Sequence, residues 1–175
     1  NNEGTLKALP LFDRATNSLF MAVSGRTAGL TTIELSRTEI HTNLFFTGVM
    51  FIGGVSGSVA GGIKVNTLAV LLVAVAASIR GRSQAAAFGR EIPSAQIQRA
   101  LAVAFLGISF VFSVAFLLAI TEGFPFDDLL FETVSAFGTI GLSAGVTPLL
   151  SSWGQTLILI TMFVGDIGPL TFALA

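Results

Sequence analysis

Residues 135–145 read SAFGTIGLSAG, and residues 24–32 read SGRTAGLTT. Slid against itself by 112 positions, the chain puts Thr27, Gly29 and Leu30 on Thr139, Gly141 and Leu142. The same shift puts Met50, Phe51 and Gly53 on Met162, Phe163 and Gly165, with no gap between the two blocks. Upstream, after a two-residue slip, Phe12-Asp13 meets Phe126-Asp127. Each copy therefore reads as an acidic approach, a short apolar helix (15–23 and 129–137), a turn of small residues and a longer apolar helix. The short helices fall well below the roughly 20 residues that cross a bilayer, so they are expected to dip in and return.

The composition sets the solvent. Of 175 residues, 53% are apolar and 11% charged, against about 25% charged in soluble domains; mean hydropathy is +0.84. Apolar blocks run over 44–79, 101–120 and 156–175. The second and third suit one membrane span each. The first is too long for one straight helix, and its middle, GGVSGSVAGGIKV at 53–65, is expected to be irregular backbone within the membrane. Such backbone is tolerated only where it is buried in protein or lines water. The predicted fold is all-helical and membrane-embedded.

Charge gives the orientation. Arg80, Arg82, Arg90 and Arg99 face only Glu91 between the first two blocks, and short positive loops stay in the cytoplasm. Residues 80–100 are thus expected inside. The acidic stretch 122–132, with Glu122, Asp127, Asp128 and Glu132, and the first 40 residues are expected outside. No basic run suggests nucleic acid. The absence of cysteine excludes disulfides and thiolate chemistry. The first 14 residues have no apolar core behind basic residues, unlike a signal peptide, and the chain is expected to be a piece of a longer polypeptide.

The chemistry follows from the turns. Carbonyls can replace a cation's hydration shell only where the backbone is extended toward a pore, and glycine permits the dihedrals that aim them. The candidates are Thr27, Ala28 and Gly29 in one copy, and Thr139, Ile140 and Gly141 in the other. A helix whose carboxyl end points at such a turn adds partial negative charge there. Ordinary interhelical turns are the alternative. Glu132 is expected to bond to the structure supporting the second turn, or to face an outer vestibule.

These motifs, with GGVSGSVAGGIKV at 53–65 and MFVGDIGPLT at 162–171, resemble the Trk/Ktr/HKT superfamily of potassium transporters, in particular their bacterial membrane subunits. The likeness covers nearly the whole chain. It implies helix, re-entrant pore helix, helix repeats arranged with pseudo-fourfold symmetry around one pore, of which this chain holds the C-terminal half. Residues 1–79 would be a third repeat lacking its first helix, 80–100 a cytoplasmic loop, and 101–175 the fourth repeat. The six turn residues would supply filter carbonyls to K+. Gly53, Gly54, Ser56, Gly57, Ser58, Gly61 and Gly62, followed by Lys64, would form a gating loop below the filter. Where the family carries an arginine in its last helix, this chain has Asp166, which could face Lys64 across the pore. The resemblance further implies a homodimer in the plasma membrane docked on a cytosolic nucleotide-binding regulatory ring, with no organic cofactor in this chain.

Rival readings remain for these residues. The glycines also suit close helix packing of the small-xxx-small kind, and Lys64 could be a lysine that snorkels to the interface. A secondary cation transporter with discontinuous helices would place Gly-rich segments at mid-membrane, though its repeats are often inverted and these are parallel. A non-conducting assembly subunit would need no filter. Nothing points to an enzyme. The stretch 57–64 lacks the adjacent Gly-Lys-Ser/Thr of a phosphate loop, His41 is the single histidine, and no G-x-S-x-G elbow is present.

Overall fold

The computed structural model describes residues 6, 9–55, 61–82 and 84–168, without the side chain of residue 37. Among the described residues six α-helices carry the fold: α1 (Leu11–Ser24), α2 (Ile40–Phe51), α3 (Val65–Ile79), α4 (Ser94–Thr121), α5 (Phe126–Phe137) and α6 (Ser152–Ile167). Short 3-10 turns at Leu35–Arg37 and Thr147–Leu149 lie between α1 and α2 and between α5 and α6. A two-stranded antiparallel hairpin pairs Ala86–Ala87 (β1) with Arg90–Glu91 (β2).

Prolines set three helix starts. Pro10, Pro93 and Pro125 immediately precede α1, α4 and α5, where a fixed φ and a missing N–H cost nothing. Both short helices consequently begin earlier than their apolar runs do, at Leu11 and Phe126. Because α4 begins at Ser94, the basic connection is also shorter than 80–100. The start of α6 is capped differently: Ser151 Oγ accepts from the Gly154 N–H at 3.2 Å and donates to Glu122 Oε1 at 2.5 Å, while the Ser151 N–H reaches Glu122 Oε2 at 3.1 Å.

The long block 44–79 is broken, as its glycines suggest. Helix α2 stops at Phe51 and α3 starts at Val65. The two flanks of the break lie side by side: Ile52 and Ile63 form a parallel bridge, the Gly53 N–H donates to Ile63 O at 2.8 Å, and the Val65 N–H donates to Gly54 O at 3.1 Å. Among the described residues, α4 is the one helix long and apolar enough to cross a membrane; α3 is a shorter apolar helix.

Helix α5 is the centre of the packing, touching α2, α4 and α6. Every residue from Phe131 to Phe137 is buried. Phe137 stacks on Phe51 with centroids 6.1 Å apart and tilts against Phe110 at 6.2 Å. Met21, Met50, Ile63, Val111 and Val134 pack into that core, as do Ile140 and Leu142 from the turn after α5. A β-carbon at Gly165 would lie 2.0 Å from Phe137 O, so only glycine lets α6 approach the end of α5 this closely. Small residues at such crossings are how membrane helices gain van der Waals contact where lipid offers no hydrophobic contrast. Phe105, Phe112 and Phe116 on α4, and Trp153 near the start of α6, are exposed.

Candidate functional site

Helices α1 and α5 end in equivalent turns. Past α1, the Ala28 N–H donates to Ser24 O at 3.1 Å and the Gly29 N–H to the same carbonyl at 3.4 Å. Past α5, the Thr139 N–H donates to Ala136 O at 3.1 Å and the Ile140 N–H to Ser135 O at 3.0 Å. Two amides of each turn are thus taken up by carbonyls at the preceding helix end, which would otherwise be unpaired.

The dihedral signs match residue by residue. Thr27 and Gly29 have φ of 76° and 69°, and Thr139 and Gly141 have 53° and 85°, whereas Ala28 and Ile140 do not enter the positive region. Two β-branched residues at positive φ are true outliers, each storing on the order of 1–3 kcal/mol that the surrounding structure must hold. Residues alternating in handedness gather their N–H groups on one side, which leaves the carbonyls on the other. Among the described residues, no donor reaches the carbonyls of Thr27, Ala28, Gly29, Thr139, Ile140 or Gly141. By contrast, the carbonyl that follows each trio is bonded: Leu30 O accepts from Ser24 Oγ, and Leu142 O accepts from Ser135 Oγ at 2.5 Å.

The two turns are neighbours. A β-carbon built on Gly29 would stand 2.5 Å from Ile140 O, and one on Gly141 would stand 3.8 Å from the Gly29 Cα. All six residues singled out in the sequence are therefore brought to one place. Part of the broken-helix loop reaches the same place. The Gly61 N–H donates to Thr139 Oγ1 at 2.9 Å, and the Gly62 N–H donates to Gly165 O at 3.3 Å. Gly53 and Gly54 lie at the other root of the loop; Ser56, Gly57 and Ser58 fall outside the described residues. Lys64 is half-buried as the N-cap residue of α3, and Asp166 is exposed near the end of α6. Among the described residues no ion pair joins the two.

Three supporting residues sharpen the site. Glu132 bonds to residues 143–147, as one of its two sequence readings anticipates. Ser24 and Ser135 were not singled out, although each opens one of the two motifs, because the 112-residue register sets Ser24 against Ala136. His41 sits in the first turn of α2, its Nε2 2.8 Å from Glu39 Oε2, a local surface pair away from the turns. Among the described residues no cluster of His, Cys, Asp and Glu could hold a metal ion.

A family model described as TrkH, cation transport protein, matches residues 1–175. The chain belongs to this family. Among curated relatives, the Ktr system potassium uptake protein B of Bacillus subtilis is 44% identical over 172 residues, covering 98% of this chain and 39% of the relative. The Ktr system potassium uptake protein D of the same organism is 43% identical over 155 residues, 89% of this chain and 34% of the relative. The potassium/sodium uptake protein NtpJ of Enterococcus hirae is 40% identical over 164 residues, 91% of this chain and 36% of the relative. This member of the TrkH family thus spans well under half the length of the relatives it matches. Its fold matches the crystal structure of the potassium transporter TrkH from Vibrio parahaemolyticus, with a TM-score of 0.78, 18% identity, and coverage of 93% of this chain and 37% of that one.

Proposed function

We propose that this chain is half of a potassium uptake pathway whose ion is held by the carbonyls of Thr27, Ala28, Gly29, Thr139, Ile140 and Gly141. The observation that carries the reading is the set of six carbonyls without donors, on two adjacent turns of alternating handedness. At membrane depth an unsatisfied carbonyl costs several kcal/mol unless it faces water or an ion. A dehydrated K+ satisfies several at once. Helices α1 and α5 are re-entrant pore helices, each ending at the ion and adding its carboxyl-end partial charge. They belong to the last two of four pseudo-symmetric repeats, and the rest of the polypeptide closes the pore.

The stretch from Gly53 to Gly62, with Lys64, is the gate beneath the filter. Support comes from the bonds of Gly61 to Thr139 and of Gly62 to Gly165, which put one root of the loop against the filter turn. Asp166, beside Gly165, brings negative charge where relatives of the superfamily carry an arginine. The connection after α3 is cytoplasmic by its arginines, and α1 and α5 begin outside. The complete subunit works as a plasma-membrane homodimer on a cytosolic nucleotide-binding ring. This rests on family membership.

Relatives are named both for potassium and for potassium with sodium, so the ratio of the two fluxes is the quantity to measure. In cells lacking their own K+ uptake systems, the full-length subunit should restore K+ uptake, and Gly141→Ser should lower its rate or its preference over Na+. Uptake and ratio both unchanged by Gly141→Ser would remove the filter reading.

A further inference from the structure

We infer that Glu132 is a positioning residue that holds the Thr139–Ile140–Gly141 carbonyls at the spacing that prefers K+ to a smaller cation; this deepens the filter reading above and rests on it. Glu132 lies inside α5 and is 3% exposed. Its Oε1 accepts from Ser143 Oγ at 2.6 Å, from the Ala144 N–H at 2.8 Å and from the Val146 N–H at 3.3 Å, and its Oε2 accepts from Thr147 Oγ1. All four donors lie in one segment, 143–147, which follows the filter turn directly. They match the acceptor-only character of a carboxylate. Burying such a group without partners is costly, and an apolar residue here would leave the buried Ala144 and Val146 N–H groups without their acceptor. What the carboxylate adds is a fixed register between the helix before the turn and the chain after it.

The geometry makes that register matter to the ion. The filter trio is tied at its start, where Thr139 and Ile140 donate to the α5 end. It is tied again at Leu142, whose carbonyl accepts from Ser135. Beyond Leu142, the Glu132 clamp stops the segment from sliding, so the three carbonyls cannot close on a smaller ion. Charge-assisted bonds of this kind are shorter and roughly twice as strong as neutral ones.

The other copy is built differently. Three residues before Ser24, as Glu132 stands three before Ser135, the first copy has Met21, an apolar residue that is 2% exposed. Its following segment is held by its own neighbours: Thr38 Oγ1 donates to Leu35 O at 2.6 Å, and Asn43 Nδ2 donates to the same carbonyl at 3.4 Å. The two segments face each other across a cleft of about 390 Å³ lined by Thr31, Thr32, Glu34 and Ser36 on one side and Ser143 and Gly145 on the other. Glu132 therefore also fixes one wall of the space that adjoins the filter.

The test compares K+ and Na+ uptake by the full-length subunit carrying Glu132→Ala, Glu132→Gln, or the pair Ser143→Ala and Thr147→Val. Each flux is normalised to the amount of protein in the membrane. Glu132→Ala should lower the K+/Na+ ratio about tenfold, the factor worth roughly one charge-assisted hydrogen bond, and the double variant, which keeps the bonds from the Ala144 and Val146 N–H groups, should lower it by a smaller factor. Glu132→Gln should fall less, because its Oε1 still accepts from Ser143, Ala144 and Val146. If Glu132→Ala does not accumulate, the double variant decides alone, since it leaves the carboxylate in place. A purely structural role predicts less protein with the ratio per molecule unchanged, and that result overturns the inference. Gly141→Ser measured in parallel separates the two ideas: a changed ratio there with none in the Glu132 set sinks only the positioning role, whereas no change with Gly141→Ser sinks the filter itself.

Discussion

Alanine at Gly29 and alanine at Gly141 should not behave alike, although the two glycines occupy equivalent turns. Both have positive φ, 69° and 85°, so either alanine carries about 1–2 kcal/mol of left-handed strain. At Gly141 that is the whole cost, because the nearest atom to a new β-carbon is the Gly29 Cα at 3.8 Å. At Gly29 the β-carbon would stand 2.5 Å from Ile140 O, a backbone atom that cannot swing aside. Overpacking of this kind adds about 1–3 kcal/mol. Gly29→Ala should therefore cost about 2–5 kcal/mol against about 1–2 for Gly141→Ala. It should also push the Ile140 carbonyl off its position. The assay is the temperature at which the detergent-solubilised full-length subunit aggregates, paired with K+ uptake in cells. Gly29→Ala should aggregate at the lower temperature and lose more uptake. Equal effects, or a larger one at Gly141, would refute the adjacency of the two turns.

Three further substitutions probe the framework. Gly165→Ala would put a β-carbon 2.0 Å from Phe137 O, so α6 should lose its seat against α5 and the subunit should fail to accumulate in membranes, as an immunoblot would show. Ser151→Ala removes the α6 cap that accepts from Gly154 and donates to Glu122, and should cost about 1 kcal/mol in the same aggregation assay. At the start of α5, burial raises the Asp128 carboxyl above its ordinary value of 3.8, with Asp127 and Glu132 pushing the same way. A raised carboxyl opposes folding once ionised, and the penalty fades as pH falls through its folded-state pKa toward 3.8. Asp128→Asn should accordingly stabilise at neutral pH and bring progressively less benefit under acid conditions; a benefit that grows with acid would contradict this.

Much of the arrangement was legible because the repeat is written in residues that only one conformation explains. Gly29 and Gly141 sit at positive φ, and the threonines two places earlier share that conformation, so a register of matched letters became a register of matched dihedrals. The break in the 44–79 block was legible for a similar reason: the Gly/Ser run interrupts an apolar stretch too long for one span. The helix starts were readable but under-read, since Pro10 and Pro125 mark where α1 and α5 begin while apolar patterning alone starts them later. The hairpin at 86–91 gave no such signal. Its turn has positive φ at both Phe88 (51°) and Gly89 (75°), and a phenylalanine in that place is far from the Asn-Gly or Asp-Gly that announces such a turn. The partners of Glu132, 11 to 15 residues away, and the bond from Gly61 to Thr139, 78 residues away, belong to tertiary packing, which no local periodicity encodes. Lys64 and Asp166, opposite in charge and each near the site, are not joined, because charge in a sequence states attraction but not distance.

The most direct measurement is the position of a bound monovalent ion. Crystals of the full-length subunit grown with Tl+ in place of K+ would locate it by anomalous scattering. A peak facing the carbonyls of residues 27–29 and 139–141 is the expected result, and it should vanish or move in Gly141→Ser. A peak elsewhere along the pathway, with those six carbonyls facing protein or lipid instead, would contradict the assignment of the filter.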